Sequence, residues 1–459
     1  MAGKLFGTTG VRKVYGTDFD VEDALNLGKA LGTYLRSGRV LVAQDARTTG
    51  EMIADALVAG IMSTGVNVVR AGIVPTPTLA FMTKKGGFEA GVMVTASHNP
   101  PEYTGVKFWG PDGMGYTPEQ EATLEQLFAE RSFKVAEWNQ LGTLSSTGSA
   151  VSEHIAALLE RCDAGLVRSK NFRVVVDPGN GAACVMTPYL LQKLGCKVLS
   201  INAQLDGHFP GRRSEPDEES LGDLVAMVKS AGADLGVAHD GDSDRVVFVT
   251  ESGEVIRGDR IIALLAREAI SNSPHKLTVT TVDSSQVLDM TVERSGGKVV
   301  RTPVGDIQVA IRIKEEGASF GGEACGVFIF PDFHLAPEPF LTVCRVLELM
   351  AKTGKSFGAL ISEIPVYPLR KTKVACPNER KESVMAHLRE ELPAGMKQVT
   401  KVLTVDGLAV FMRDGWVLVR PSGTEPVIRI TCEAQRDENV DHILETAKRL
   451  VTAAVKSVS

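Results

Sequence analysis

The stretch Ala90-Gly91-Val92-Met93-Val94-Thr95-Ala96-Ser97-His98-Asn99-Pro100-Pro101 decides how the chain is read. Its apolar first half reads as a buried strand. Asn99, Pro100 and Pro101 cannot continue a central strand, so the chain turns just after Ser97. That places a serine hydroxyl at a strand tip, among small neighbours, where a ligand can approach it. A lone serine in a turn is usually only a turn. Here the rest of the chain supplies what a phosphorylated serine would need.

Outward from this strand, one pattern recurs three times. Val40-Leu41-Val42 is followed by a helical face of Met52, Ile53, Ala56, Leu57 and Ile61, a stop at Gly65, and a strand from Val66 to Val69. Val174-Val175-Val176 leads through Leu190 and Leu194 to Gly195 and the strand Lys197-Val198-Leu199. Leu277–Val282 leads through Val287, Leu288 and Val292 to Gly297 and Val299-Val300. Each copy is a βαβ unit with a right-handed crossover. After a further helix each copy ends in a short strand around a glycine. Gly91 leads to Ser97, Gly236 to Asp240 and Gly321 to Glu323. That strand end is where ligands bind in α/β sheets. Units of roughly a hundred residues exclude ankyrin and armadillo arrays.

At 459 residues the chain is too long for one hydrophobic core. Its linkers predict four domains: 1–150, 151–253, 254–365 and 366–459. The boundaries follow the polar Thr143–Ser149, the turn at Ser252-Gly253 and the run Ile364-Pro365-Val366-Tyr367-Pro368. The last part differs from the repeats, with strands at Trp416–Val419 and Val427–Ile430 and a helix near Val440–Val455. A content of 44% hydrophobic and 23% charged residues is that of a soluble globular protein. The formal net charge of -6 offers no surface for nucleic acid or membrane. The N-terminus lacks a signal-peptide apolar core, and no apolar run reaches about 18 residues. The seven cysteines are scattered, without a Cys-x-x-Cys pair. This points to a reducing cytoplasm, and away from a disulfide framework or a thiolate zinc site.

Asp240-Gly241-Asp242-Ser243-Asp244-Arg245 is the strongest local signal. Three carboxylates at alternate positions repel one another unless a cation sits between them, and oxygen-only ligands suit Mg²⁺ or Ca²⁺. An EF-hand is disfavoured because position six is Arg245 instead of glycine, and Val246-Val247 stands where a helix should begin. Arg420-Pro421-Ser422-Gly423-Thr424-Glu425-Pro426 gathers a guanidinium, two hydroxyls and a glycine N–H on one loop between strands, a phosphate cradle that Arg429 can extend. Gly321-Gly322-Glu323-Ala324-Cys325-Gly326 frees backbone around one carboxylate that can accept hydrogen bonds from sugar hydroxyls. Cys325 reads as a small packed side chain and not a nucleophile. Lys107, soon after the serine loop, is either a solvent-exposed strand lysine or a group for acid–base work and charge neutralisation. Arg12 closes a glycine- and threonine-rich opening segment that can face an anion.

In their order and spacing, Thr95–Pro101, Asp240–Arg245, Gly321–Gly326 and Arg420–Pro426 resemble the α-D-phosphohexomutase superfamily over the whole chain. The likeness is closest to archaeal-type phosphomannomutase/phosphoglucomutase and phosphoglucosamine mutase proteins. The resemblance implies an α/β fold: three related mixed-sheet α/β domains around a central cleft, and a smaller C-terminal α+β domain. It implies that Ser97 is the phosphoserine, and that Asp240, Asp242 and Asp244 bind Mg²⁺ together with an oxygen at Ser97. Arg12, His98, Lys107 and Arg245 would line the transfer site. Glu323 and the neighbouring Cys325 would meet the sugar, while Arg420, Ser422, Gly423, Thr424 and Arg429 hold the non-reacting phosphate. Departures at Lys13, Cys325, Val327 and Phe333–Pro339 leave the sugar open.

The activity expected is interconversion of hexose 1-phosphate and 6-phosphate, of glucosamine, mannose or glucose, with a hexose 1,6-bisphosphate as intermediate and activator. The partner is a small sugar phosphate, and the chain can be a monomer or a homo-oligomer. Two rival readings use the same loops: a metal-dependent sugar phosphatase, and a sugar-phosphate-binding protein without turnover.

Overall fold

The structure is a computed structural model and describes residues 5–7, 10–423 and 425–457. Thr424, expected in the phosphate loop, lies outside the described residues. The chain forms two compact units: Met1–Gly258 with Cys325–Ile361, and Asp259–Ala324 with Ser362–Ser459.

In the first unit, Arg39–Gln44 pairs in parallel with Asn67–Ile73 on one side and Ala90–Val94 on the other. Arg173–Asp177 repeats this between Lys197–Ser200 and Leu235–His239. In the second unit, Leu277–Thr281 lies between Lys298–Thr302 and Phe320–Glu323. The three copies thus share one strand order, with the first strand in the middle. Val40, Leu41 and Val42 are buried in a row, as are Val174, Val175 and Val176. A parallel strand covered on both faces needs that continuous apolar run. Ser97 and Asp240 follow the carboxyl ends of their third strands, and Glu323 ends its own. Antiparallel returns at Tyr103–Trp109 and Val246–Thr250 make the first two sheets mixed.

Two departures from the sequence reading have physical causes. Leu144–Ser146, expected as linker, adds a parallel edge strand to Asn67–Ile73. All three of its residues are exposed, so no alternation marks it. The C-terminal sheet also holds three strands the reading omitted, Leu369–Ala375, Val399–Leu403 and Leu408–Met412, and a helix, Lys381–Gly395, was omitted too. Within that sheet Val417 and Val419 pack under the helices with Val384, Leu388 and Val451. Trp416 and Leu418 turn to the other face, against Val282 and Phe411. Among the described residues no helix is long and apolar enough to cross a membrane.

His154, His334 and Glu338 meet in the interior of the first unit, which the sequence reading did not anticipate. Glu338 Oε2 accepts from His154 Nε2 at 3.0 Å and from His334 Nε2 at 2.7 Å. Its Oε1 accepts from Phe340 N and Leu341 N, capping the helix Pro339–Thr353. Ala336 N donates to His334 Nδ1 at 3.2 Å, which leaves that ring's proton on Nε2. Burial raises the Glu338 carboxyl, but the two imidazoles outweigh it and hold the group at about 2. Burial pushes His334 down, and Glu338 offsets this only in part. Both groups therefore bind protons more readily once unfolded. The His334 contribution to stability is lost as pH falls below 6.5, and the Glu338 contribution as pH falls from 4.5 towards about 2. Glu338→Gln is expected to cost about 2–4 kcal/mol at neutral pH and to flatten the acid limb of the Tm–pH profile measured by calorimetry. A variant with the parent's acid limb would mean that the network does not govern acid stability.

Candidate active site

The serine loop is shaped from beneath. Ser97 has φ of 52°, in the left-handed region, which costs a non-glycine residue roughly 1–2 kcal/mol. A buried arginine holds it there. Arg47 donates to four carbonyls of the loop, those of Ser97 and Asn99 through Nη2 and those of Pro100 and Tyr103 through Nη1. Its Nε meets Asp45 Oδ2 at 3.2 Å. Thr95 Oγ1 donates to that same oxygen at 2.6 Å and accepts from Ser97 N at 2.8 Å. The second repeat carries a parallel device. Arg212 pairs with Asp177 at 2.8 Å and donates to the carbonyl of His239, one residue before Asp240.

The aspartate loop closes over the serine. Ser97 Oγ donates to Asp240 Oδ2 at 2.9 Å. A Cβ on Gly241 would come within 2.6 Å of Ser214 Oγ and 2.7 Å of the Ser97 carbonyl, so only glycine permits this approach. Thr76 adds a brace, its N and Oγ1 donating to Asp242 O and Oδ2 at 2.9 and 2.7 Å. Ser97, expected at an accessible tip, is fully buried because this second loop covers it.

Lys107 is no solvent-exposed strand lysine. Its Nζ lies 2.8 Å from both Asp242 Oδ2 and Asp244 Oδ2, and its side chain is 2% exposed. Burial disfavours its charge, yet the two carboxylates outweigh burial and hold it as an ammonium. The same contact carries Asp242 well below the usual carboxylate range against the effect of burial. Asp240 moves the other way, raised by burial and by the charges of Asp244 and Asp242. Arg245 closes on Glu215 at 2.8 Å, and its backbone N donates to Asp240 Oδ1. His98 Nδ1 is 3.4 Å from Ser97 Oγ. Burial and the charges of Arg245, Arg12 and Lys107 hold His98 at about 3, a neutral imidazole at neutral pH. Arg12 reaches this group because its strand pairs with Tyr103–Trp109, Arg12 opposite Gly105.

The acidic trio fits a hard cation. One oxygen from each of Asp240, Asp242 and Asp244 lies within 4.8 Å of the others. Asp242 Oδ1 and Asp244 Oδ1 are buried without a hydrogen-bond partner, which is costly unless a cation meets them. The donors are all carboxylate oxygens, as Mg²⁺ and Ca²⁺ prefer.

Cys325 corrects the sequence reading. It is exposed, not packed. Gly326 holds the turn's backbone against Val246, whose N donates to Gly326 O, so the preceding side chain is left at the surface, near Arg245.

The remaining predicted residues belong to the second unit. Glu323 Oε2 accepts from Gly305 N at 2.9 Å. The adjacent Val304 N donates to Asp406 Oδ2, and Arg420 Nε donates to Asp406 Oδ1 at 2.9 Å. Glu323 and Arg420 are thereby linked through two short loops. Arg420 stands opposite Arg429, and Arg429 opposite Lys373, a row of three cations across adjacent strands. Glu425 bonds Arg429 at 2.8 Å and Lys373 at 3.2 Å. Ser422 Oγ accepts from Glu425 N, and a Cβ on Gly423 would meet nothing. Lys381 tethers the carbonyls of Ser422 and Glu425.

Sequence reasoning missed Arg47, Thr76, Glu215 and Lys381. One signal was available. Asp45 follows and Asp177 ends the first strand of its repeat, and a buried carboxylate there requires a cationic partner.

Family models of the phosphoglucomutase/phosphomannomutase alpha/beta/alpha domains I, II and III match residues 3–135, 152–253 and 257–367, and that of the C-terminal domain matches 372–449. A phosphoglucomutase/phosphomannomutase of Thermococcus kodakarensis is 44% identical over 99% of this chain and 100% of its own length. A probable phosphoglucosamine mutase of Methanopyrus kandleri is 42% identical over 99% of each chain. The crystal structure of a phosphoglucomutase/phosphomannomutase family protein from Burkholderia thailandensis superimposes with a TM-score of 0.88 at 28% identity, covering 99% of this chain and 98% of that one. With four domain models matched in sequence order, full-length relatives and three βαβ repeats of one topology, the chain belongs to the phosphoglucomutase/phosphomannomutase family.

Proposed function

We propose that the chain interconverts hexose 1-phosphates and hexose 6-phosphates, with glucosamine, mannose or glucose as the sugar, through a phosphoryl group carried on Ser97. The observation that carries this reading is the buried contact of Ser97 Oγ with Asp240, beside two carboxylate oxygens that lack hydrogen-bond partners. Asp240, Asp242 and Asp244 would hold Mg²⁺, with an oxygen of the Ser97 phosphoryl group as a further ligand. Bound there, the ion supplies positive charge to the transferring group.

The chain's own residues account for the remaining steps. The bond from phosphorus to Ser97 Oγ breaks as one forms to O1 or O6 of the sugar. Lys107, held as an ammonium, and the guanidinium groups of Arg245 and Arg12 neutralise charge on the moving group. Lys107 and His98 are the candidates to take the hydroxyl proton, His98 Nδ1 lying 3.4 Å from Ser97 Oγ. Glu323 and Cys325 face the sugar, and Arg420, Ser422, Gly423, Thr424 and Arg429 hold the distant phosphate. The 1,6-bisphosphate then turns end for end and returns its other phosphoryl group to Ser97. A trace of bisphosphate activates the enzyme by refilling that serine. Relatives named as mutases favour a sugar acceptor over water, and so a mutase over a phosphatase. We place the protein in the cytoplasm, where its free cysteines stay reduced.

Ser97→Ala is expected to lower mutase turnover by at least about a thousandfold and to remove the phosphoryl mass from the protein. Near-parental turnover in a coupled assay would end the shuttle. Chelation by EDTA should abolish turnover and Mg²⁺ restore it, while Asp242→Asn should stay inactive with Mg²⁺ present. Arg420→Ala should raise KM for a hexose 1-phosphate roughly 10–100-fold, with a smaller change in kcat. A fall in kcat at constant KM would remove Arg420 from phosphate binding. Release of inorganic phosphate faster than isomerisation would favour the phosphatase.

A further inference from the structure

In the second unit the carboxylate of Asp406 stands between the loop beside Glu323 and the strand that carries Arg420. Asp406 lies in the turn between the strands Val399–Leu403 and Leu408–Met412. The next residue, Gly407, has φ of 80°. A Cβ there would come within 2.5 Å of Val419 O and 3.1 Å of Arg420 Cα, so glycine is what lets the turn close on the Arg420 strand. On the other side, the loop after Lys298–Thr302 offers two consecutive backbone donors to two different carboxylates. Val304 N donates to Asp406 Oδ2 at 3.1 Å, and Gly305 N to Glu323 Oε2 at 2.9 Å.

The two oxygens of Asp406 divide their work. Oδ2 takes Val304 N, while Oδ1 accepts from Arg420 Nε at 2.9 Å. With Nε engaged, neither Nη of Arg420 makes a hydrogen bond among the described residues. The side chain is 38% exposed, which leaves room for a ligand. A guanidinium held at Nε still presents its Nη donors as a fork to an anion. An arginine without such an anchor would lose more rotamer freedom when it binds. Charge neutralisation alone does not account for the arrangement. It would need one carboxylate near Arg420, as Glu425 serves Lys373 and Arg429, and no bond from the second oxygen to another loop.

We propose that Asp406 is a positioning residue for Arg420. It orients the guanidinium from the Nε side and anchors it to the Val304–Gly305 loop, so that the Nη donors meet the sugar's non-reacting phosphate already in place. This role rests on the reading of Arg420 as a phosphate ligand given above. It requires two acceptor atoms on one side chain. An amide of the same shape has a single acceptor oxygen, and its NH₂ would face one of the two donors. Asp406→Asn therefore breaks the bridge with little change of volume.

The test uses the full chain with Mg²⁺ and compares the parent, Asp406→Asn, Arg420→Ala and the double variant. The ligand is whichever of glucosamine 1-phosphate, mannose 1-phosphate and glucose 1-phosphate the parent binds most tightly. Calorimetry on these four proteins, each also carrying Ser97→Ala, gives Kd without phosphoryl transfer through Ser97, and a coupled assay with Ser97 intact gives KM and kcat. Asp406→Asn is expected to raise Kd and KM about tenfold, with a smaller change in kcat. Asp406→Ala, which lacks both acceptors, should behave alike. Added to Arg420→Ala, Asp406→Asn should change Kd by less than about twofold, because no guanidinium is left to orient. Parental Kd in both Asp406 variants would overturn the proposal, as would a double variant whose loss is the product of the two single losses. Should Arg420→Ala itself leave Kd unchanged, the reading of Arg420 as a phosphate ligand fails and this role with it. A tenfold loss from Arg420→Ala with none from Asp406→Asn or Asp406→Ala sinks the positioning role alone.

Discussion

Three carboxylates buried within a few ångströms of one another repel strongly at low dielectric, and everything near Ser97 answers that constraint. Lys107 meets two of them, Thr76 donates to one, and Ser97 and the Arg245 backbone donate to the third. Two oxygens are still left over. The arrangement is strained in charge and in backbone, since both Ser97 and Ser243 adopt positive φ. Such strain persists where surrounding structure over-determines it, and it clusters at functional sites. A divalent cation and a phosphoryl group would relieve both halves of the imbalance, one supplying positive charge and the other using the cations that remain.

The scaffold achieves this by repetition. A βαβ unit aims the carboxyl end of its third strand in a fixed direction, so three copies offer three equivalent loops for different chemistry. The first presents a hydroxyl, the second an acidic trio and the third a single carboxylate. In the first two copies an aspartate at the end of the first strand anchors an arginine. That arginine then gathers the carbonyls behind the functional residue. An arginine suits this task because its fork donates several bonds at once and remains charged when buried. These braces set the loops without contributing a reacting atom.

The C-terminal sheet carries its cations differently. Lys373, Arg429 and Arg420 sit side by side across three strands, where like charges destabilise a sheet. Glu425 compensates two of them, and Arg420 leans on Asp406. The open space around Gly423 lets a ligand reach the backbone of the loop. A phosphate there would be bound by charge and by directed hydrogen bonds together.

The sequence by itself determined the three βαβ repeats, the strand that ends at Ser97 and the acidic loop. Each of these rests on local pattern: buried parallel strands are uninterrupted runs of Val and Leu, and three carboxylates at alternate positions are visible without a fold. Only the tertiary structure decided that Ser97 is covered, that Lys107 is buried between two aspartates and that Cys325 is exposed. Those outcomes depend on which loop lies over which, and the pairing of residues distant in sequence leaves no periodic trace. The same holds for Arg47, the His154–Glu338–His334 network and the edge strand Leu144–Ser146. A single buried arginine, two scattered histidines and an exposed tripeptide look ordinary until long-range packing brings their partners to them.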